Sequence, residues 1–247
     1  MRPKTWMVAF GLALGLIIQP ASAGRFEDGV AADDRGDYRA ALQIWQELAR
    51  EDHAAALYRL ALAYSEGRGV PRDDAQAAVW YNRAASHGYV PARSALGRIY
   101  DEGKGVPKSP SKAMKWYRNA AQRGDIASQL ALGLIYDSGR GVPQNDWQAV
   151  KWYGLAAEKG DATAQNNLGL IYAQGRGVAQ DYGKAYLWLS LAAELGHVSA
   201  AKSRDAIAAN MTPAQIDQTR ELVRTWLQAR QLAKKANCQV AKIEKCG

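Results

Sequence analysis

The tetrapeptide Gly67-Arg68-Gly69-Val70 returns as Gly103-Lys104-Gly105-Val106, Gly139-Arg140-Gly141-Val142 and Gly175-Arg176-Gly177-Val178, at an unvarying interval of 36 residues. A fixed period in this range describes stacked supersecondary units that share an elongated core. It argues against a single compact enzyme domain. An aromatic stands three residues before each first glycine (Tyr64, Tyr100, Tyr136, Tyr172), and Pro71, Pro107 and Pro143 follow the loop, with Ala179 departing. This is the punctuation of one helix ending and another beginning.

Within each unit the first helix carries Leu60, Leu96, Leu132 or Leu168, followed by Ala61, Gly97, Gly133 or Gly169. Glycine in mid-helix costs about 1 kcal/mol relative to alanine, so its recurrence implies close approach of a neighbour. The small pairs Ala84-Ala85, Ala120-Ala121, Ala156-Ala157 and Ala192-Ala193 of the second helix are the expected neighbours. Gly67 and its equivalents suit the left-handed residue past a helix end, and the prolines forbid the first helix from continuing. Asp73, Ser109, Asn145 and Asp181, with Asp37 in the same register, are N-cap residue types. Gln76 and Gln148, three residues further on, are placed to complete capping boxes. The second helix then carries Trp80-Tyr81, Trp116-Tyr117, Trp152-Tyr153 and Trp188-Leu189, read as the bulk that wedges one unit against the next.

The ends of the array differ from its middle. Residues 24–53 read as an atypical opening hairpin, with Tyr38 to Ala49 apolar at three- and four-residue steps. Residues 54–198 hold the four units. Residues 199–230 read as capping helices, the last opened by Thr212-Pro213 and running to about Arg230, and residues 231–247 as a basic tail.

The unit Ala-x-x-x-Leu-Gly-x-x-Tyr-x-x-Gly-x-Gly-Val-Pro-x-Asp-x-x-x-Ala-x-x-Trp-Tyr-x-x-Ala-Ala-x-x-Gly, nearly spelled by Ala164 to Gly196, resembles the Sel1-like repeat, a longer-looped relative of the tetratricopeptide repeat. The resemblance implies an all-α, right-handed α-solenoid of antiparallel helix hairpins, about twelve helices in all. It also implies an adaptor for other proteins, often in bacterial envelopes and signalling.

The first residues stand outside the array. Met1-Arg2-Pro3-Lys4, an apolar run from Val8 to Ile18 and Ala21-Ser22-Ala23 before Gly24 read as a secretory signal peptide, residues 1–23, cleaved after Ala23. That run is too short to span a membrane, and the expected location is periplasmic or secreted. Residues 24–199 hold 21 Lys/Arg against 20 Asp/Glu and residues 200–247 hold 9 against 4, so the basic excess sits in the C-terminal part. For an exported chain an anionic envelope polymer or lipid is a better counterpart for that tail than nucleic acid. Cys238 and Cys246 suit a disulfide in an oxidising compartment. Eight helical residues separate Cα atoms by about 12 Å against a disulfide limit of roughly 7 Å, so an intrachain bridge requires a tail that is not one helix.

The chemistry expected is binding without catalysis, cofactor or metal. The glycine loops lack a third glycine and a Gly-Lys-Ser/Thr ending, and they follow helices rather than strands, so they are turns and not phosphate cradles. Ser109-Pro110-Ser111-Lys112 and Ser199-Ala200-Ala201-Lys202 match the Ser-x-x-Lys nucleophile motif. Ser109 nevertheless sits in the cap column, Ser-Asp-Asn is absent, and the cysteine pairs that tie together β-lactam-associated relatives of the family are absent too. His53, His87 and His197 are strung along the axis without forming a ligand set. The functional surface is expected on the first helices, the concave side. Two columns vary there, Leu57, Arg93, Gln129, Gln165 and Tyr58, Ser94, Leu130, Asn166, and Arg98 replaces a leucine of the other three units. Arg93, Arg98, Gln129, Leu130, Gln165 and Asn166 are therefore the candidate contacts for a protein or peptide, Arg93 and Arg98 with an acidic group. The chain is expected to be a monomer. The alternative reading is a binder directed at the cell wall.

Overall fold

The computed structural model describes residues 21–246. Residues 1–20 of the leader lie outside this range; α1 begins at Ala21, so the expected cleavage point after Ala23 falls in its first turn. Twelve helices follow one another among the described residues: α1 Ala21–Asp34, α2 Tyr38–Arg50, α3 Ala54–Glu66, α4 Asp74–Ser86, α5 Val90–Glu102, α6 Pro110–Gln122, α7 Ile126–Ser138, α8 Asp146–Glu158, α9 Ala162–Gln174, α10 Tyr182–Glu194, α11 Val198–Ala208 and α12 Pro213–Cys246. They form a solenoid of antiparallel hairpins, each packed on its sequence neighbours.

The hairpin link is built as its residue types dictate. Gly67, Gly103, Gly139 and Gly175 end the first helices at φ of 73°, 77°, 69° and 68°, a backbone that L side chains adopt at a cost. Asp73, Ser109, Asn145 and Asp181 cap the second helices through their side-chain oxygens, and Asp37 caps α2. The capping boxes with Gln76 and Gln148 do not form. The backbone N–H of each cap residue instead donates to the carbonyl of the first helix's tyrosine, Asp73 to Tyr64, Ser109 to Tyr100, Asn145 to Tyr136 and Asp181 to Tyr172, at 2.8–3.0 Å. This bond closes the loop on itself and explains the constant interval between tyrosine and cap. A reciprocal capping box does form at α12, where Thr212 N–H donates to Gln215 Oε1 (2.8 Å) and Gln215 N–H donates to Thr212 Oγ1 (3.3 Å).

The mid-helix glycines make a closer contact than the one expected with the alanine pairs. A Cβ at Gly97 would stand 2.4 Å from the Tyr117 ring, one at Gly133 2.4 Å from Tyr153, and one at Gly169 2.7 Å from Leu189. In units 2 to 4 the large residue after the Trp thus packs on bare backbone of its own hairpin, whereas unit 1 has Ala61 in place of the glycine. The alanines are buried as well, but they set the helix spacing less sharply than the ring does.

Neighbouring units dock through the second glycine of each loop. A Cβ at Gly105 would lie 2.2 Å from the Asp74 carbonyl carbon, one at Gly177 2.7 Å from that of Asp146, and one at Gly69 2.8 Å from the Tyr38 carbonyl oxygen. Each loop therefore seats on the first residue of the preceding unit's second helix. First helices also touch directly, α5 with α7, α7 with α9 and α9 with α11, which makes them the inner layer. At the C-terminal end α12 packs on α10. It does not stop near Arg230 but continues as helix to Cys246. Cys238 and Cys246 therefore both lie within the span of this helix, and their pairing falls outside the described side chains. Among the described residues no helix is long and apolar enough to cross a membrane.

Gly133→Ala forces a methyl into the Tyr153 ring, and overpacking of this kind costs about 1–3 kcal/mol, whereas helix propensity alone would favour alanine by about 1 kcal/mol. The expected result is a lower urea midpoint than wild type. A raised midpoint would show that the ring moves aside freely.

Candidate functional site

The structure divides the sequence-predicted contacts into two groups. Gln129 and Gln165 are buried, 3% and 0% exposed, as is Leu57 in the same column. Their amides donate to carbonyls eight residues earlier, Gln129 Nε2 to Ala121 and Gln165 Nε2 to Ala157, both at 3.0 Å, and Arg93 Nε donates to Ala85 at 3.3 Å. The column adds a second donor to carbonyls at the C-termini of α4, α6 and α8 that already accept from the backbone N–H of Gly88, Gly124 and Gly160, so it varies because either a donor or an apolar plug serves between units. Asn166 is also buried and donates to Asn167. Leu130 is half-buried against the core. Gln129, Gln165 and Asn166 are thus withdrawn from the binding surface, and Arg93 is committed to structure.

Arg98 remains. It is exposed, and it makes no ion pair or hydrogen bond among the described residues. Leu134, its equivalent one unit later, is 42% exposed. Arg98 borders an open groove on the inner layer of about 350 Å³, together with Tyr58, Ser94, Ala95, Tyr117 and Ala131. A polar link crosses the groove floor: Ser94 Oγ donates to Asp125 at 2.8 Å and Ser128 Oγ donates to Ser94 at 2.9 Å.

One set of residues was missed by sequence reasoning. Arg140 Nη2 pairs with Asp101 at 2.8 Å and Arg176 Nη1 with Asp137 at 2.7 Å, each reaching from a glycine loop to the preceding unit. Tyr153 donates its hydroxyl to the same Asp137 at 3.2 Å. Burial, and then the adjacent Asp101 carboxylate, pushes the Tyr117 hydroxyl up to about 12, and burial followed by Asp137 raises that of Tyr153. The signal was present in the sequence as an aspartate after Tyr100 and Tyr136 and a cation inside the loop, one period apart.

The candidate nucleophiles are structural. Ser109 Oγ accepts from Lys112 N–H as an N-cap, while Lys112 Nζ stands 5.2 Å over the Tyr100 ring. Ser199 Oγ lies 3.4 Å from His197 Nδ1. His53 Nδ1 caps α3, and His87 stands 3.3 Å from Asp52. Among the described residues no group of three or more His, Cys, Asp or Glu is placed to hold a metal.

These features define a repeat solenoid whose inner face is an open groove. The Sel1 repeat family model matches residues 54–89, 90–125, 126–161 and 162–197, and the chain belongs to the Sel1 repeat family. It is similar to a Sel1 repeat protein from Oxalobacter formigenes, at 31% identity and a TM-score of 0.68 over 71% of this chain and 72% of that one. It is also similar to c5321, a protective antigen present in uropathogenic Escherichia coli strains that displays an SLR fold, at 30% identity and a TM-score of 0.73 over 84% of this chain. The match covers 45% of that longer chain. A comparison with curated proteins returned no match. Sel1 repeat proteins generally serve as protein-interaction scaffolds, and their fold is typically non-catalytic.

The Tyr117 environment gives a pH signature. The phenol ionises near 10 in the unfolded chain and near 12 in the fold, so between these values the folded state keeps a proton that the unfolded state releases. Stability then falls with rising pH by about 1.4 kcal/mol per unit for this one group. Urea unfolding from pH 9.5 to 11.5 should show that decline, and Tyr117→Phe should flatten it by about one proton. An equal slope in the variant would contradict the assignment.

Proposed function

We propose that this chain is an exported, non-catalytic adaptor that holds a segment of another protein along its inner face and so regulates an envelope signalling or secretion component. The observation that carries this reading is Arg98, a cation without an ion pair among the described residues, beside a groove lined by small and aromatic side chains and Asp125, at a register where the other units have leucine. Such a surface gives a peptide apolar contact along its length and one charge to fix its register. The leader pattern of residues 1–23 supports export, and the use of Ser109, His53 and His87 in caps and surface pairs supports binding without turnover.

A second reading rests on a different surface. Arg118, Lys151 and Lys159 border an outer cleft between α6 and α8 that has no carboxylate in its lining and includes Trp152, a chemistry that suits an anionic wall polymer.

Crosslinking and mass spectrometry in native cells separates the two. The adaptor reading expects a mature chain beginning at Gly24, recovered outside the cytoplasm and crosslinked to one or a few proteins through α5 and α7, with Arg98→Glu reducing that yield at least fivefold. Retention in the cytoplasm, or salt-sensitive sedimentation with purified sacculi and no protein crosslinks, would overturn it.

A further inference from the structure

The units are not equivalent at the Asp–Arg rung, and the differences gather at one place. Units 2 and 3 place Asp101 and Asp137 beside Tyr117 and Tyr153 and answer them with Arg140 and Arg176. Unit 4 has Ala173 and Leu189 in these positions, so the carboxylate and the phenol are lost together and an apolar pair fills the site. Unit 1 loses only the carboxylate. Ser65 stands where the aspartate would be, Tyr81 is retained, and the loop cation is Lys104.

The consequence is an orphaned donor. Tyr81 is 1% exposed and its hydroxyl, although close to Ser65, makes no hydrogen bond of good geometry among the described residues, while Ser65 Oγ donates to the Leu62 carbonyl at 3.0 Å. A buried hydroxyl left unpaired is destabilising, and a phenylalanine or leucine would have avoided it. Tyr81 and Ser65 line a cleft of about 140 Å³ between the α3–α4 hairpin and α5. Of the cations at this cleft, Arg72 pairs with Asp74 and Lys104 with Glu102, while Glu66 pairs with Arg68. Arg98 is left over, and it borders both the cleft and the inner groove.

We propose that this cleft binds the carboxylate of an aspartate or glutamate side chain in the segment held along the inner groove, the incoming group standing where Asp137 stands in unit 3. Asp137 accepts from a tyrosine hydroxyl and an arginine of the next unit; at unit 1 the same two donor types are Tyr81 and Arg98, with the carboxylate supplied from outside. The choice of a side chain over a chain terminus follows from the internal stand-in, which is itself an aspartate side chain. Guanidinium and phenol donors together favour a charged carboxylate over an amide. The inference rests on the adaptor reading, whose groove brings the segment to Arg98.

The test is NMR titration of the ¹⁵N-labelled chain from Gly24 onward with N-acetyl-aspartate amide, using N-acetyl-asparagine amide as control and N-acetyl-alanine as the chain-terminus arm. The expected result is a saturable shift of the Arg98 Nε–H and of the Ser65 and Glu102 amides, with the aspartate probe at least fivefold tighter than the other two. Ser65→Asp, which supplies the missing carboxylate from within, should raise the melting temperature and weaken the probe at least tenfold; Arg98→Leu should weaken it equally without unfolding the chain. Equal response to aspartate and asparagine, tighter binding of the terminus probe, or unchanged affinity in Ser65→Asp would overturn the proposal. Protein crosslinks through α5 and α7 that persist in Ser65→Asp would overturn this site while leaving the adaptor reading standing.

Discussion

Each glycine loop rests on the first residue of the preceding unit's second helix, against backbone at Gly69, Gly105 and Gly177 and against the Pro110 ring at Gly141, and the register of the whole array follows from that seat. At Gly105 the space for even a methyl group is gone, since it would fall 2.2 Å from the Asp74 carbonyl carbon. The first glycine of the loop terminates one helix, the second admits the neighbour, and the carbonyl of the preceding tyrosine holds the next cap residue in place. A loop that does all three tolerates little change in length, which is why the interval stays at 36 residues across four units. The seat also fixes where the loop's cation lands, and so makes the Asp–Arg rung available to units 2 and 3.

Within a unit, packing is set by a ring on a glycine. Tyr117 and Tyr153 bury their rings on Gly97 and Gly133, and this pins their hydroxyls beside Asp101 and Asp137. Burial of the aromatic thus positions a polar group, and the polar group couples one unit to the next. Solenoid stability is a sum of unit and nearest-neighbour terms, so a unit can lose one rung without losing the fold. That tolerance leaves unit 1 free to carry a departure such as Ser65 with Tyr81.

The helices, their caps and the four units were legible in the sequence because each depends on residues within one period of each other. The same locality misled at the variable columns. Gln129 and Gln165 look like surface residues from their type, yet their amides are spent on the Ala121 and Ala157 carbonyls of the preceding helix, a demand that no single unit displays. Asn166 was misplaced because it is buried despite its type, its amide donating to the neighbouring Asn167. Arg98 stays at the surface, as its type suggests, because a cation replacing a leucine has no interior role to fill. The path of α12 through Cys246 was not legible, since a basic stretch with two cysteines reads as a tail in the absence of any repeat to set its register.

The central claim, that loop seating couples neighbouring units, is tested most directly by native-state hydrogen exchange on Gly177→Val. Here a side chain is forced into the Asp146 backbone at a residue whose φ is 64°. The account predicts faster amide exchange throughout α8, α9 and α10, on both sides of the broken seat. Faster exchange confined to the loop between Gly175 and Gln180, with the flanking helices unchanged, would contradict it.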